Sequence, residues 1–532
     1  MKRREILKYS ALFLTGLFAS KSPALADTIT PVASVNTDSL PKSVVVVDDP
    51  AYNGDLQLAY KSNPGSTTFL LGNGDYNVVG LWNDIRNTKE NILIIGLGMP
   101  QLSDDKSRFV SGSGTVIQGA VKNQARGFKV FNLGIDCGNY VSQNLYHAIN
   151  NGNPKYEDAL QIYGVGSNAN IGIDNVKTLN SIGVSSMPAT HSILLEQLEG
   201  AVVGYVECIG GFHGYTVKCQ NLRGGHANCY GQYGDAFILK SDSGGMCRDI
   251  VMEGITVGRA DNTGWPAPSM GGLYDAHDNV TIDNIRIGFL RVQNAAWGFR
   301  SDGNSTGYIK NIMIGDYYAN TVYGNNFTLE VSDKCVNWNI GEHNCTFVSG
   351  GIKVSPKSVN INISDGRVTD STRAGYSLGG NTLCHGTLIS NGNYQGVEYT
   401  GGTGLNIEKI IAYKNTNGNF SSLPSVLASG PLNGWVPTAQ IGFKATPCGH
   451  KVVISGSLNK GTGANAYLIA ENMRPPEDIY IPAFGINAPL GEGGSMVPVE
   501  VWVRTTGYIE ISGWNSLGVS QPVRINGSYL IA

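Results

Sequence analysis

The sequence predicts an all-β chain whose larger part is a parallel β-helix, a solenoid of short strands, followed by a C-terminal β-sandwich. Three observations predict it. Glycine fills 70 of 532 positions and only 15% of residues are charged, and short Val and Ile runs bounded by Gly and Asn take the place of helical periodicity. A polar, acid-bearing segment recurs, with "GGLYDAHDNVTIDNI" ending at Ile285 and "GFRSDGNSTGYIKNI" ending at Ile312. Apolar and polar residues also alternate within the repeats, as strands with one buried face require.

Residues 1–26 have a basic start, an apolar run at 11–19 and Ala24-Leu25-Ala26 ahead of Asp27. That pattern is an export signal removed after Ala26, since the apolar run is too short to span a bilayer. "KRREILK", with Arg3 and Arg4, resembles the twin-arginine class of bacterial signal, which implies passage across the inner membrane in the folded state. The mature protein is therefore expected to be periplasmic or secreted. A net charge of -3 offers little to a phosphate backbone, so nucleic acid is not an expected partner. No other apolar stretch suggests a membrane span. The nine cysteines contain no CxxC pair, so neither a metal cluster nor a cofactor is indicated. Buried, inward-facing thiols are expected, with one or two disulfides as the alternative.

The repeat organises residues 27–417. Taking the residue after a recurring Asn or its equivalent as anchor gives Val176, Ile255, Ile285, Ile312, Ile340, Ile363 and Ile410. From Ile255 to Ile363 the steps are 30, 27, 28 and 23, and the 47 residues to Ile410 leave room for two turns. Such steps suit coils that each bury apolar side chains against the next. In "FTLEV", Phe327, Leu329 and Val331 share one face and Thr328 and Glu330 the other; in "GIKV", Ile352 and Val354 oppose Lys353.

The segment "DLQLAYKSNPGSTTFLLGNGDYNV", followed by "NILIIGLGMP", resembles the entry of the pectate-lyase-like right-handed β-helix superfamily, which includes phage tailspike depolymerases. The resemblance implies a capping helix at residues 55–62, a turn at Gly74-Asp75-Tyr76 and a corner at Gly96-Leu97-Gly98. It covers roughly residues 40–417 by coil pattern. The chain departs from that family's pectin-cleaving members. It lacks their Asn-Thr-Asp, paired Asp and Gly-His-Gly, offering only "GGHAN" around His226, and the Asp and Arg pattern of the calcium-dependent lyases is not recognisable. A pectin substrate is not supported.

Chemistry is sought on the outward faces. Ten residues back from Ile285, Ile312 and Ile340 stand Asp275, Asp302 and Glu330. Equal register on adjacent coils would stack these carboxylates roughly 4.8 Å apart. Like charges so close repel unless a cation, proton or substrate compensates them. Glycoside hydrolysis uses two carboxyls, about 5–5.5 Å apart for retention and about 6.5–9.5 Å for inversion; adjacent rungs approach the first spacing and alternate rungs the second. The alternative is that the acids cap corner amides. Arg300, Lys353, His277, Trp297 and Trp265 are the expected substrate contacts. "GHANCYGQYGDAF", with His226, Tyr230, Tyr233 and Asp235, is the place to look for a lyase base.

After a Ser/Gly/Pro-rich linker at residues 418–434, alternating segments such as "VEVWVRTTGYIEISGW" predict a β-sandwich over residues 435–532. Its "ENMRPPEDIYIPAF" resembles a strand signature of C-terminal domains on phage fibres and tailspikes, which implies a homotrimer or a glycan contact. The functional expectation is a secreted, polysaccharide-degrading glycoside hydrolase. A polysaccharide lyase and a non-catalytic glycan-binding or adhesion protein are the alternatives.

Overall fold

The computed structural model describes residues 43–77, 86–104, 108–137, 158–179, 191–241, 246–258, 270–276, 280–301, 307–417, 420–421, 431–433, 435–437, 443–448, 451–469, 474–486, 496–513 and 522–530. The signal segment 1–26 and most of the linker lie outside them. The chain divides into two compact units, Met1–Ser269 and Met270–Ala532. Among the described residues both are all-β apart from one helix, and no helix there is long and apolar enough to cross a membrane.

The helix is Leu56–Ser62, where the sequence places it. Asp55 caps it, its Oδ1 accepting from the Leu58 amide at 2.8 Å. The helix buries Leu56, Gln57 and Ala59, and the Tyr60 ring lies 6.3 Å from that of Phe69. Gly74-Asp75-Tyr76 is not the expected turn. It belongs to the strand Gly74–Asn77, paired in parallel with Thr115–Gln118. The reason is Tyr76, whose buried ring and hydroxyl, 2.7 Å from Asp48 Oδ1, fix this stretch as a ladder. Gly96 does open a corner after Leu93–Ile95; a Cβ there would lie 2.5 Å from the Asn132 carbonyl oxygen.

In the first unit the strands pair in parallel in three stacks. One follows Val44, Thr68, Leu93, Lys129, Gly172, Val202, Arg223 and Val251. A second follows Val116, Gly134, Lys177, Glu207, Asn228 and Thr256. The third follows Arg86, Lys122, Gln161, Leu194, Thr216 and Ile238. Each pass of the chain thus contributes a rung to each stack.

The second unit repeats this plan. Its stacks run through Ile285, Ile312, Trp338, Ile361, Thr382 and Leu405; through Leu290, Tyr317, His343, Gly366, Leu388 and Ile410; and through Phe299, Leu329, Ile352, Tyr376 and Val397. Ile285, Ile312, Trp338 and Ile361 are fully buried, and each such side chain contributes about 1.5–3 kcal/mol by leaving water. Two further rungs, through Cys384 and Ile407, follow Ile363, as the spacing to Ile410 allows.

Asparagine sets the corner before the first stack. Asn284, Asn311, Asn337 and Asn360 hold φ between 53° and 57°, the left-handed region that Asn tolerates better than other residues with a Cβ. Their amides bond from rung to rung, Asn337 to Asn311 at 3.0 Å and Asn360 to Asn337 at 2.9 Å. The true anchors are therefore Ile285, Ile312, Trp338 and Ile361, and the two expected at Ile340 and Ile363 lie two residues late. A second left-handed corner holds Asn294, Thr321, Phe347, Asp370, Gly392 and Lys414 on successive rungs. At Thr321 and Phe347 this conformation costs about 1–2 kcal/mol each.

Seven cysteines, Cys208, Cys219, Cys229, Cys247, Cys335, Cys345 and Cys384, are buried free thiols, and Cys137 is a half-buried one. Burial pushes the Cys219 and Cys345 thiols well above their usual range, and Cys335 up to about 11.

The C-terminal strands form one hydrogen-bonded antiparallel ladder among the described residues. The order is Val436–Pro437, Lys451–Asn459, Pro522–Leu530, Ile479–Ile486, Met496–Val503, Tyr508–Ser512 and Asn465–Leu468, with Phe443–Cys448 also paired to Lys451–Asn459. Trp435, Ile454, Ile481, Val501 and Ile525 lie within one apolar core, and Trp435 Nε1 donates to the Gly463 carbonyl at 2.7 Å.

Candidate functional site

The expected three-acid column does not form as counted. Leu273 pairs with Arg300, Arg300 with Glu330, and Glu330 with Lys353. Glu330 is therefore in register with Arg300, two residues before Asp302. The count failed because corners differ in length. Twelve residues separate Arg300 from its anchor Ile312, and eight separate Glu330 from Trp338. Asp275 belongs to the strand Met270–Ala276, with its side chain outside the described set. Asp302, His277 and Trp265 lie outside the described residues altogether.

Four expected site residues do come together. Glu330 Oε1 meets Lys353 Nζ at 2.5 Å. The Arg300 guanidinium lies 4.6 Å from the Trp297 ring centroid, and Lys353 Nζ lies 6.0 Å from that of Phe327. Lys353 compensates the Glu330 charge, and Arg300 stands in register with Glu330 on the neighbouring rung.

A different acid row stands on the second stack. Asp316 pairs with Phe289 on the rung before it. Glu342 directly precedes His343, the partner of Tyr317, and its carbonyl accepts from the Tyr317 amide at 2.8 Å. Asp365 precedes Gly366, the partner of His343, and its carbonyl accepts from the His343 amide at 3.2 Å. Three carboxylates thus occupy one column on consecutive rungs, roughly 4.8 Å apart at the backbone. Alternation turns them outward, because Tyr317 and His343 beside them are buried.

The three acids differ in what they touch. Asp365 Oδ1 accepts from the Thr387 amide at 2.6 Å, a corner cap. Asp316 and Glu342 have no hydrogen-bond or ion-pair partner among the described residues. Two residues along lies the column Arg291, Tyr318, Asn344 and Arg367. The Arg291 guanidinium sits 5.9 Å from the rings of both Phe289 and Tyr318. Burial first, then the Asp316 and Glu342 charges, hold the Tyr318 phenol above its usual range, with Arg291 opposing. Tyr318 accordingly remains a hydrogen-bond donor near neutral pH. The arrangement offers two free carboxylates, a phenol donor and two guanidinium groups on one surface.

This row carries a sequence signal of its own. Ile314-Gly315-Asp316, Ile340-Gly341-Glu342 and Ile363-Ser364-Asp365 repeat one tripeptide pattern. Counting forward four residues from the true anchors Ile312, Trp338 and Ile361 lands on each acid.

His343 supports the row from inside. It is buried, with Nε2 2.8 Å from the Tyr376 hydroxyl, and burial lowers its pKa to about 4. Its ring covers Gly366 so closely that a Cβ there would lie 2.1 Å from Cε1.

The first unit holds a second polar cluster. "GHANCYGQYGDAF" is not irregular throughout, since His226 to Tyr230 complete the strand His213–Tyr230. Tyr230 donates to Glu207, which also meets Lys177 at 3.0 Å, and His226 Nε2 lies 2.9 Å from Thr256 Oγ1. His191 Nδ1 is 2.9 Å from Asp158 Oδ1, and the His191 and His213 rings stack at 5.2 Å. Burial foremost, with the charges of His191 and Lys240, lowers the His213 pKa to about 3, so this imidazole is neutral.

No family model matches the chain, and no curated protein matches it. Two phage proteins resemble it among solved structures. ORF18 of Geobacillus virus E2 is 12% identical with a TM-score of 0.27, over 88% of this chain and 76% of that one. The Dettilon tailspike protein is 10% identical with a TM-score of 0.24, over 92% of this chain and 94% of that one.

Proposed function

We propose that the stacks are the faces of a right-handed parallel β-helix, and that the chain is an exported enzyme that cuts a polysaccharide by glycoside hydrolysis. The reading is carried by Asp316 and Glu342, two outward carboxylates on adjacent rungs beside Tyr318 that have no partner among the described residues. Retaining hydrolysis requires carboxyl groups about 5–5.5 Å apart, and a backbone spacing of roughly 4.8 Å between neighbouring rungs is compatible with that separation. One carboxyl protonates the glycosidic oxygen as its bond to C1 breaks, while the other carboxylate bonds to C1. The first then takes a proton from water, whose oxygen displaces the second from C1. Tyr318 and the flanking Arg291 and Arg367 are placed to bind the sugar.

Reducing-end assays on bacterial capsular polysaccharides, exopolysaccharides and plant polysaccharides test the reading. Asp316→Asn and Glu342→Gln should each lower turnover at least about a hundredfold, roughly 2.7 kcal/mol in activation free energy, with folding intact. Azide should restore turnover to the variant that lacks the nucleophile. Asp275 and Asp302 are the competing pair. A hundredfold loss in Asp302→Asn with normal turnover in Asp316→Asn would transfer the chemistry to them.

The Asp158–His191 contact favours a second reading, elimination by a lyase. Asp158 Oδ1 lies 2.9 Å from His191 Nδ1, a contact of the kind that orients an imidazole base. Ultraviolet absorbance from an unsaturated product, lost in His191→Ala, would select it.

A further inference from the structure

We infer that Phe347 is the platform of a sugar-binding subsite on the same rung as Glu342, an inference that rests on the polysaccharide reading above. Phe347 is 62% exposed and holds φ at 52°. A phenyl group gains nothing from burial here, and its backbone conformation is one that L side chains rarely adopt. The other members of this corner are Asn294, Thr321, Asp370, Gly392 and Lys414. Three of those six positions carry Asn, Asp or Gly, which tolerate the left-handed region, so a large ring at this one runs against the needs of the corner.

The surroundings indicate what the ring meets. Glu342 and Asn344 are exposed and Thr346 is half-buried, alternating with buried His343 and Cys345, and Phe347 follows directly. Asn320 and Thr369 flank Thr346 on the neighbouring rungs. The ring therefore stands in a field of amides and hydroxyls, not in a continuous apolar patch. A protein-docking face would extend the apolar surface. A sugar asks for this combination, with an aromatic plane for its C–H face and amide and hydroxyl groups for its hydroxyls. At about 3.3 Å per residue, Phe347 lies about 16 Å along the strand from Glu342, a few sugar residues from the acid pair.

The test exploits the opposition between fold and ligand. In the full chain, Phe347→Gly should raise the melting temperature, because glycine adopts the left-handed corner freely. The same change should raise KM for the cleaved polysaccharide about tenfold while kcat stays within about twofold, the signature of lost binding away from the reacting bond. Phe347→Tyr should restore KM. An unchanged KM in Phe347→Gly overturns the subsite. Affinity gels containing each polysaccharide of the same panel separate this inference from hydrolysis. Retardation of the wild type that is lost in Phe347→Gly supports the subsite even if no bond is cut. Equal retardation of both proteins, or retardation of neither, overturns it.

Discussion

Acid should weaken this fold through His343. The neutral imidazole is buried against Tyr376 and Gly341, and the Gly341 carbonyl and then the Asp365 charge only partly offset the cost of burying a proton there. Its pKa falls from 6.5 to about 4 on folding. The unfolded chain therefore binds the proton at higher pH than the native one. The resulting stability is fully present above pH 6.5 and is lost as pH falls towards 4. The gap is about two and a half pH units, which at about 1.4 kcal/mol each comes to about 3 kcal/mol. Denaturant unfolding of the wild type and His343→Gln, compared between pH 7 and 4, isolates this contribution because the other titrating groups cancel in the difference. The wild type should lose about 3 kcal/mol more than the variant. Parallel pH dependences, or a His343 resonance that titrates in the native state near 6.5, would refute the reasoning.

Other outcomes follow from the same geometry. Gly366→Ala should cost about 3 kcal/mol by forcing a methyl group into the pinned His343 ring, and adding His343→Ala should recover part of that loss in a thermal melt. Lys353→Met should change stability by under about 1 kcal/mol, since the pair with Glu330 is partly solvated; a larger loss by denaturant titration would mean that Glu330 is more tightly held than its exposure suggests. Replacing both Arg3 and Arg4 by Lys should strand the precursor in the cytoplasm, as read by cell fractionation, whereas unchanged export would indicate the general secretory route.

The parallel plan was legible because its determinants are local and repeated. Ile285 and Ile312 follow left-handed asparagines, and that pair of residues is a turn and a buried face in two letters. The capping helix was legible only through the resemblance of its segment to a known family. Register across rungs was not. Trp338 fills the position of Ile312, yet no periodic count favours a tryptophan over the isoleucine two residues later. The lengths of the corners between stacks are set by how each loop leaves the sheet, so distance along the chain ceases to measure distance between side chains. That is why equal counts align Glu330 with Asp302 instead of Arg300 and do not single out Asp316 and Glu342. The C-terminal strands were legible by alternation, but their joining into one sheet depends on pairings such as Lys451–Asn459 with Pro522–Leu530, far apart in sequence.

The inward thiols bear on the order of events in the cell. An unfolded chain entering an oxidising compartment would present nine cysteines to one another and to oxidants. The folded chain withholds seven of them from any reagent that cannot enter the core. Chemical fate is thus decided by timing. If the parallel stacks close before the chain meets the oxidant, the sulfur stays reduced without any dedicated protection; if they close afterwards, mispaired cysteines would lock loops that the stacked rungs have no means of accommodating.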